Sequence, residues 1–315
     1  MMAPPRLAPV ALMALAALGC GGGDSSGAGE APRASGATSA AEAAARRPLC
    51  APLRSRVMGR VRSAAATELS GLVLSRSQSR VLWTHNDSGD RARLLALAPS
   101  GRTLAELTVP GAEHVDWEDI AAGRGGVLYV GDIGDNAHER AAVVVYRVAE
   151  PSVADGAPIA PARVRRLTLR YPDGSHDAEA LLVDPTTGAL VFVTKDFGGV
   201  ARVYVADRPS RTAVTTMRRA GRVSLGPGEA VTAGDVSGDG RTIVLRTYDN
   251  AFVWSRRRGR SVVSALRSRP CRARTDALGA EGQGEALGLT RDGRAFFTVA
   301  EGRRPPLRRY APARR

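Results

Sequence analysis

The sequence predicts an all-β fold, a β-propeller of four-stranded blades, on three observations. Helical periodicity is nearly absent after residue 50, while short β-rich runs bounded by Gly, Asp and Pro recur to the end of the chain. Those runs form a repeat starting at residues 68, 116, 177, 230 and 283, at intervals of 48 to 61 residues, which suits a propeller blade better than a solenoid turn. The final repeat has room for only three strands, and a spare strand precedes the first repeat. The count is five blades, or six if the 61-residue interval hides a degenerate one.

Each element follows in order. The innermost strands are predicted in "ELSGLVLS", "DWEDIAAG", "DAEALLVD", "AVTAGDVS" and "QGEALGLT", each followed by a tight turn such as "PTTG", "SGDG" or "RDG". The second strands are "RVLWTH", "VLYVGD", "LVFVTK", "TIVLRT" and "AFFTVA". The third are "RLLALA", "AVVVYRV", "VARVYVA", "AFVWS" and "LRRYAPA", and "LAELTV" and "VRRLTLRY" supply outer strands. "RVMGRVRS" at residues 56–63 is expected to be the outer strand of the last blade, so that the ring closes on itself and leaves no open sheet edge.

Before this domain, Arg6 precedes the apolar run "LAPVALMALAALG", which reads as the core of a secretory signal over residues 1–20. "ALGC" resembles a bacterial lipobox, with Cys20 as the lipidated residue; an ordinary signal peptide cut nearby is the alternative. Residues 21–47 are Gly, Ser, Ala and Pro with little to bury, a flexible tether, and residues 48–315 are the folded domain. The expected location is the cell envelope, as a lipoprotein of the outer membrane or cell surface, or secretion. Contact with the membrane would run through the lipid anchor alone. Export favours a disulfide between Cys50 and Cys271, with two separate thiols as the alternative.

The formal charge of +14 comes from 45 basic residues against 31 acidic ones, and Lys195 is the single lysine. The arginines scatter without interleaved aromatics, which argues against a nucleic-acid surface and reads as solubility with some attraction to anionic envelope polymers. A monomer is expected.

Against that basic background, "DWEDIAAGRGGVLYVGDIGDN" carries five carboxylates at the two ends of a strand pair. In a propeller blade the start of the inner strand and the end of the second strand share one rim. Glu68, Glu118, Asp119, Asp177, Glu179, Gln283 and Glu285 enter inner strands. His85, Asn86, Asp87, Asp132, Asp135, Asn136, Lys195, Asp196, Arg246, Asp249 and Glu301 leave second strands. The histidines His85, His114, His138 and His176 fall in the same loops. Acids beside a narrow channel cost desolvation unless a cation or donor compensates them. Glu68, Glu118, Asp119, Asp132 and Asp135 are therefore the expected ligands of a hard cation, Ca²⁺ before Mg²⁺. The other reading makes them caps on backbone amides and partners of arginines. Asn86, Asp87, Asn136, Glu179 and Glu285 are the expected contacts for a small polar ligand or a cell-envelope component.

Taken together, "ELSGLVLS…VLWTHNDSGD", "DWEDIAAG…LYVGDIGDN", "YPDGSHDAEALLVDP…FVTKDFGG" and "QGEALGLTRDG" resemble a group of exported bacterial β-propellers, similar at a distance to six-bladed TolB-like propellers and to phytase-like esterase propellers. The resemblance spans about residues 65–305. Glu68 resembles the metal-binding Glu of gluconolactonase-type propellers, which implies a lactonase-like possibility. The leading expectation is a binding module with a cation or polar ligand on an acidic rim. The alternative is a metal-dependent hydrolase of phosphate or carboxylic esters, with Lys195 and Arg246 stabilising negative charge and His85 moving protons. The G-x-S-x-G motif of a serine nucleophile is absent from residues 48–315; its one match, "GDSSG" at residues 23–27, falls in the expected tether.

Overall fold

The computed structural model describes residues 48–313 apart from 154–158, 160, 161 and 276. The expected signal segment 1–20 with Cys20, and the tether 21–47, lie outside the described residues. Strand β1 (Leu53–Arg60) comes first. Blade one is β2 (Leu69–Leu74), β3 (Leu82–Asn86), β4 (Arg93–Leu97) and β5 (Thr103–Thr108). Blade two is β6 (Trp117–Ala122), β7 (Val127–Asp132), β8 (Val143–Ala149) and β9 (Val164–Arg170). Blade three holds β10 (Ala178–Val183), β11 (Leu190–Thr194) and β12 (Val200–Ala206); the two-residue β13 (Thr215–Thr216) then pairs with β9 of blade two, and β14 (Arg218–Ser224) completes blade three. Blade four is β15 (Val231–Val236), β16 (Thr242–Thr247), β17 (Ala251–Ser255) and β18 (Cys271–Arg272), and blade five is β19 (Ala286–Leu289), β20 (Phe296–Val299) and β21 (Pro306–Pro312) joined by β1.

The described residues thus form five blades and no sixth. The extra length of the 61-residue interval lies in the β8–β9 connection and in the 171–177 loop. Inner strands neighbour one another in the order β2, β6, β10, β15, β19 and back to β2, which closes the ring. They are buried on both faces, in contrast to outer strands such as β1 and β9, whose exposure alternates or predominates. Between blades the packing is apolar, with Trp83, Trp117 and Tyr146 filling one interface and Val191, Leu245 and Trp254 another.

Two details of the strands set up the site. In blades one to four the pairing of inner and second strands slips by one residue near the same end, leaving out Gly71, Glu118, Glu179 and Thr232. Such bulges re-aim side chains locally. Moreover Ser70, Glu118, Glu179, Thr232 and Glu285 hold one equivalent position in the five repeats, and all five are buried and polar.

Ring closure is as expected, although the strand begins earlier than residue 56. β1 pairs antiparallel with β21 from Leu53 opposite Pro312 to Arg60 opposite Pro306. Cys50 and Cys271 form a disulfide across 221 residues of sequence, tying the segment before β1 to the outer strand of blade four. Replacing both with Ser is expected to lower unfolding free energy by about 2 to 4 kcal/mol, towards the upper end because the closed loop is long. Urea unfolding of parent and double variant measures it; coincident midpoints would show that the cross-link contributes nothing.

Candidate metal centre

The shared rim is real: Leu69 opposes Asn86 and Trp117 opposes Asp132, so inner-strand starts and second-strand ends lie side by side. Backbone amides of Asp87, Ile133, Lys195 and Glu301 donate to the carbonyls of Glu68, Asp116, Asp177 and Gln283, one bond of the same kind in four blades. This repeated contact fixes which side chains meet at the channel mouth. Three overlapping carboxylate groups result: Glu285, Glu301 and Asp87; Asp87, Asp116 and Glu118; and Glu118, Asp177 and Glu179. Within each group the facing oxygens lie within 4.8 Å of one another.

Blades five, one, two and three therefore supply a continuous arc of seven carboxylates. Lys195 and Tyr248 occupy the other side. Lys195 Nζ donates to Glu179 Oε1 at 2.5 Å and lies 5.7 Å from the centre of the Tyr248 ring, while the Tyr248 hydroxyl donates to Glu285 Oε1 at 3.0 Å. One cation does not offset seven carboxylates.

The electrostatics carry that imbalance. Burial pushes Glu118 well above the ordinary glutamate range, and Glu179, Asp87, Asp116 and Asp177 push it further. Burial, then Asp116 and Glu285, raise Asp87 to about 7; burial, then Glu285 and Asp87, raise Glu301 to about 8. Burial would lower Lys195, but the Glu179 carboxylate overrides it and holds the ammonium charged above its ordinary range.

Three features bear on whether a cation fits. Glu118 is 3% exposed, and among the described residues no donor reaches its carboxylate. Asp87 Oδ1 and Glu179 Oε2 are buried without partners. Gly134 leaves space where a Cβ would collide with Glu118 Oε1 and Asp116 Oδ2. An all-oxygen donor set with several carboxylates suits a hard divalent ion, and the residues fit one.

The structure distributes the other expected site residues differently. Asp119 is sealed inside the ring, its carboxylate accepting from the amides of Ile120, Leu181 and Gly234, so it ties three blades together. Asp132 pairs with Arg140 at 2.8 Å, and Asp135 caps the amides of Glu139 and Arg140. Glu68 is exposed at the edge of the arc, and Asn136 is exposed beyond it. Asn86 is consumed by four hydrogen bonds, from Thr67 and Glu68 amides and to Ala65 O and Asp90. His85 is fully buried against Trp117, with burial lowering its pKa to about 4, and so cannot carry protons at the rim. Arg246 is also fully buried and paired with Glu281, away from solvent. None of the described histidines belongs to the carboxylate groups. Asp116, Asp177 and Glu301 join the arc through their repeat positions, a signal present in the aligned sequence; nothing singled out Tyr248.

A pH dependence follows. A carboxyl with a raised folded pKa binds its proton more tightly folded than unfolded, so its contribution is full below about pH 4 and is lost as pH rises through the folded value. Asp87, Glu301 and the buried Asp235, raised by burial to about 7, all act this way. His85 acts oppositely, but only between its ordinary 6.5 and about 4. In EDTA the melting temperature is therefore expected to fall from pH 6.5 to 8.5, measured by calorimetry; a rise over that interval would contradict the raised carboxyls.

No protein-family model matches the chain, and no curated protein sequence matches it. Solved structures do resemble it. The PQQ-bound aldose sugar dehydrogenase of Streptomyces coelicolor is 11% identical with a TM-score of 0.49, over 83% of this chain and 98% of that one. A gluconolactonase of Xanthomonas campestris is 14% identical with a TM-score of 0.45, over 83% and 90%. The protein U3-55K is 12% identical with a TM-score of 0.40, over 83% and 98%. At these values the likeness assigns neither ligand nor reaction to this chain, and the propeller rests on the strand order itself.

Proposed function

We propose that this chain is an exported, lipid-anchored propeller that binds a divalent cation, Ca²⁺ before Mg²⁺, at its channel mouth, with Asp87, Asp116 and Glu118 as the central ligands. Glu118 carries the reading. A carboxylate buried to 3% exposure, without a donor and ringed by other carboxylates, is costly in its ionised form unless a cation compensates it, and without one it holds its proton, as its raised pKa shows. The loose, many-oxygen arc favours Ca²⁺, which accepts six to eight ligands, over the stricter octahedron of Mg²⁺. Export is supported by the signal-like residues 1–20 and by the Cys50–Cys271 disulfide, which persists in oxidising compartments. A bound cation with open positions would present itself to a small polar ligand or a cell-envelope component, and the chain would act as a monomer.

Stripping the protein with EDTA and restoring Ca²⁺ tests this. At about a hundred times the dissociation constant the fold should gain about 2.7 kcal/mol. Glu118→Gln should remove the gain while leaving the metal-free fold as stable or slightly more so, because repulsion is relieved. Gly134→Ala should also weaken binding, since its methyl group intrudes on Glu118 and Asp116. A parent unresponsive to Ca²⁺, Mg²⁺ and Mn²⁺ would reject the reading.

The hydrolase alternative loses His85 and Arg246 to the interior and keeps only Lys195 with the metal ligands. Metal-dependent turnover of a phosphate or carboxylic ester that collapses in Lys195→Arg would restore it.

A further inference from the structure

The opposite end of the ring has the opposite charge. Inner strands end there, and the second residue after each is Arg76, Arg124, Pro185, Gly238 or Arg291. Three of these five equivalent positions are thus arginine, on blades five, one and two, which are neighbours around the ring. The remaining two, Pro185 and Gly238, carry no charge and little bulk. A cavity of about 590 Å³ lies between them, and Arg256 and Arg258 also line it.

The packing brings the arginine charges together. Gly238 allows the Arg291 side chain to lie across it, for a Cβ there would stand 2.7 Å from Arg291 Cγ. Arg76 is anchored through Nη2 to Val236 O at 2.8 Å, and Arg256 is anchored to Gly240 O and Thr186 Oγ1. Among the described residues no hydrogen bond or ion pair is made by the side chains of Arg124, Arg258 and Arg291, although the Arg291 carbonyl accepts from the Asp239 amide at 2.9 Å. Asp239, the one acid of the lining, is occupied by Ser237 Oγ and the Arg241 amide at 2.6 and 3.0 Å. Burial depresses the Arg76 pKa, Arg124 and Arg291 depress it further, and Asp235 beneath it opposes them. Five arginines thus share the recess with two carboxylates, Asp239 in its lining and Asp235 beneath it, and such an excess of like charge weakens the fold.

We infer that this arginine-lined mouth is an anion site for a compact molecule carrying two or more phosphate groups. Guanidinium forks engage phosphate oxygens in pairs, and arginines from three blades can each address a separate group. Phosphate carries more charge per group than carboxylate, and the cavity lies in the size range of small-molecule sites. The two mouths lie at opposite ends of six-residue strands, on the order of 20 Å apart, so this site is independent of the cation site.

Calorimetric titration with inorganic tripolyphosphate tests it, in EDTA so that no metal mediates, with orthophosphate and a tricarboxylate as comparisons. Saturable one-to-one binding is expected, tightest for tripolyphosphate and at least about ten-fold weaker in Arg124→Ala/Arg291→Ala. That variant should melt no lower than the parent without anion, because repulsion is relieved. Glu118→Gln and the distant pair Arg54→Ala/Arg56→Ala should bind as the parent does. Absence of saturable binding, tightest binding of the tricarboxylate, or equal weakening by the Arg54/Arg56 pair would overturn the assignment.

Discussion

A chain beginning at Ala64 is expected to lose cooperative folding. Removing residues 48–63 takes three fully or nearly fully buried side chains out of the core, Leu49, Leu53 and Val61. At about 1.5 to 3 kcal/mol each, their burial contributes roughly 5 to 9 kcal/mol as an upper estimate. The ladder from Leu53 to Arg60 along β21 also disappears, as does the cross-link to Cys271. Domains have only about 5 to 15 kcal/mol of net stability, so the loss is of the same size as the whole. The exposed edge of β21 would in addition template association between chains. Circular dichroism melts and gel filtration, set against the full domain carrying Cys50→Ser and Cys271→Ser, separate the strand from the disulfide. A truncated chain melting within a degree or two of that control would show that β1 does not hold the ring together.

The closing strand was legible because its evidence is arithmetic: the last repeat lacks a strand and a β-rich run stands unused before the first. The inner, second and third strands were legible for a related reason, since alternation and Gly/Asp turns act over a few residues and recur. The shared rim followed from connectivity alone. Which rim residues remain available for a ligand was not legible, because that depends on direction. The bulges at Glu118 and Glu179 turn those carboxylates into the mouth, whereas Asp119, one residue on, points into the ring and meets three amides. Asn86 sits at a rim position too, yet the loop from Ala65 to Glu68 folds onto it and, together with Asp90, uses its amide completely. Arginine content read as solubility, since nothing in composition shows that Arg76, Arg124 and Arg291 hold equivalent positions facing one recess.

Arg246 shows most plainly how packing overrides position, and its partner yields the second large effect. It leaves the second strand of blade four, where a reacting group could have stood, but Gly284 has no side chain and the guanidinium fills that gap. Arg246 Nη1 donates to Ala286 O at 3.1 Å and Nη2 to Glu281 Oε2 at 2.7 Å. Glu281 Oε1 in turn accepts from Thr298 Oγ1 at 2.7 Å and the Tyr310 hydroxyl at 2.6 Å, so one carboxylate links blade four to two strands of the closing blade. Both partners are nearly inaccessible, at 0% and 3% side-chain exposure. Glu281→Gln keeps the shape and removes the charge, leaving a guanidinium buried without compensation; the expected cost is about 3 to 5 kcal/mol. Arg246→Met with Glu281→Leu removes both charges together and should recover most of that loss, because a buried pair contributes little beyond an apolar replacement of similar volume. Denaturant unfolding of the parent, the single and the double variant measures both steps. A Glu281→Gln midpoint equal to the parent's would mean that water reaches Arg246. A double variant as weak as the single one would instead assign the loss to Thr298 and Tyr310, whose hydroxyls would have lost their common acceptor.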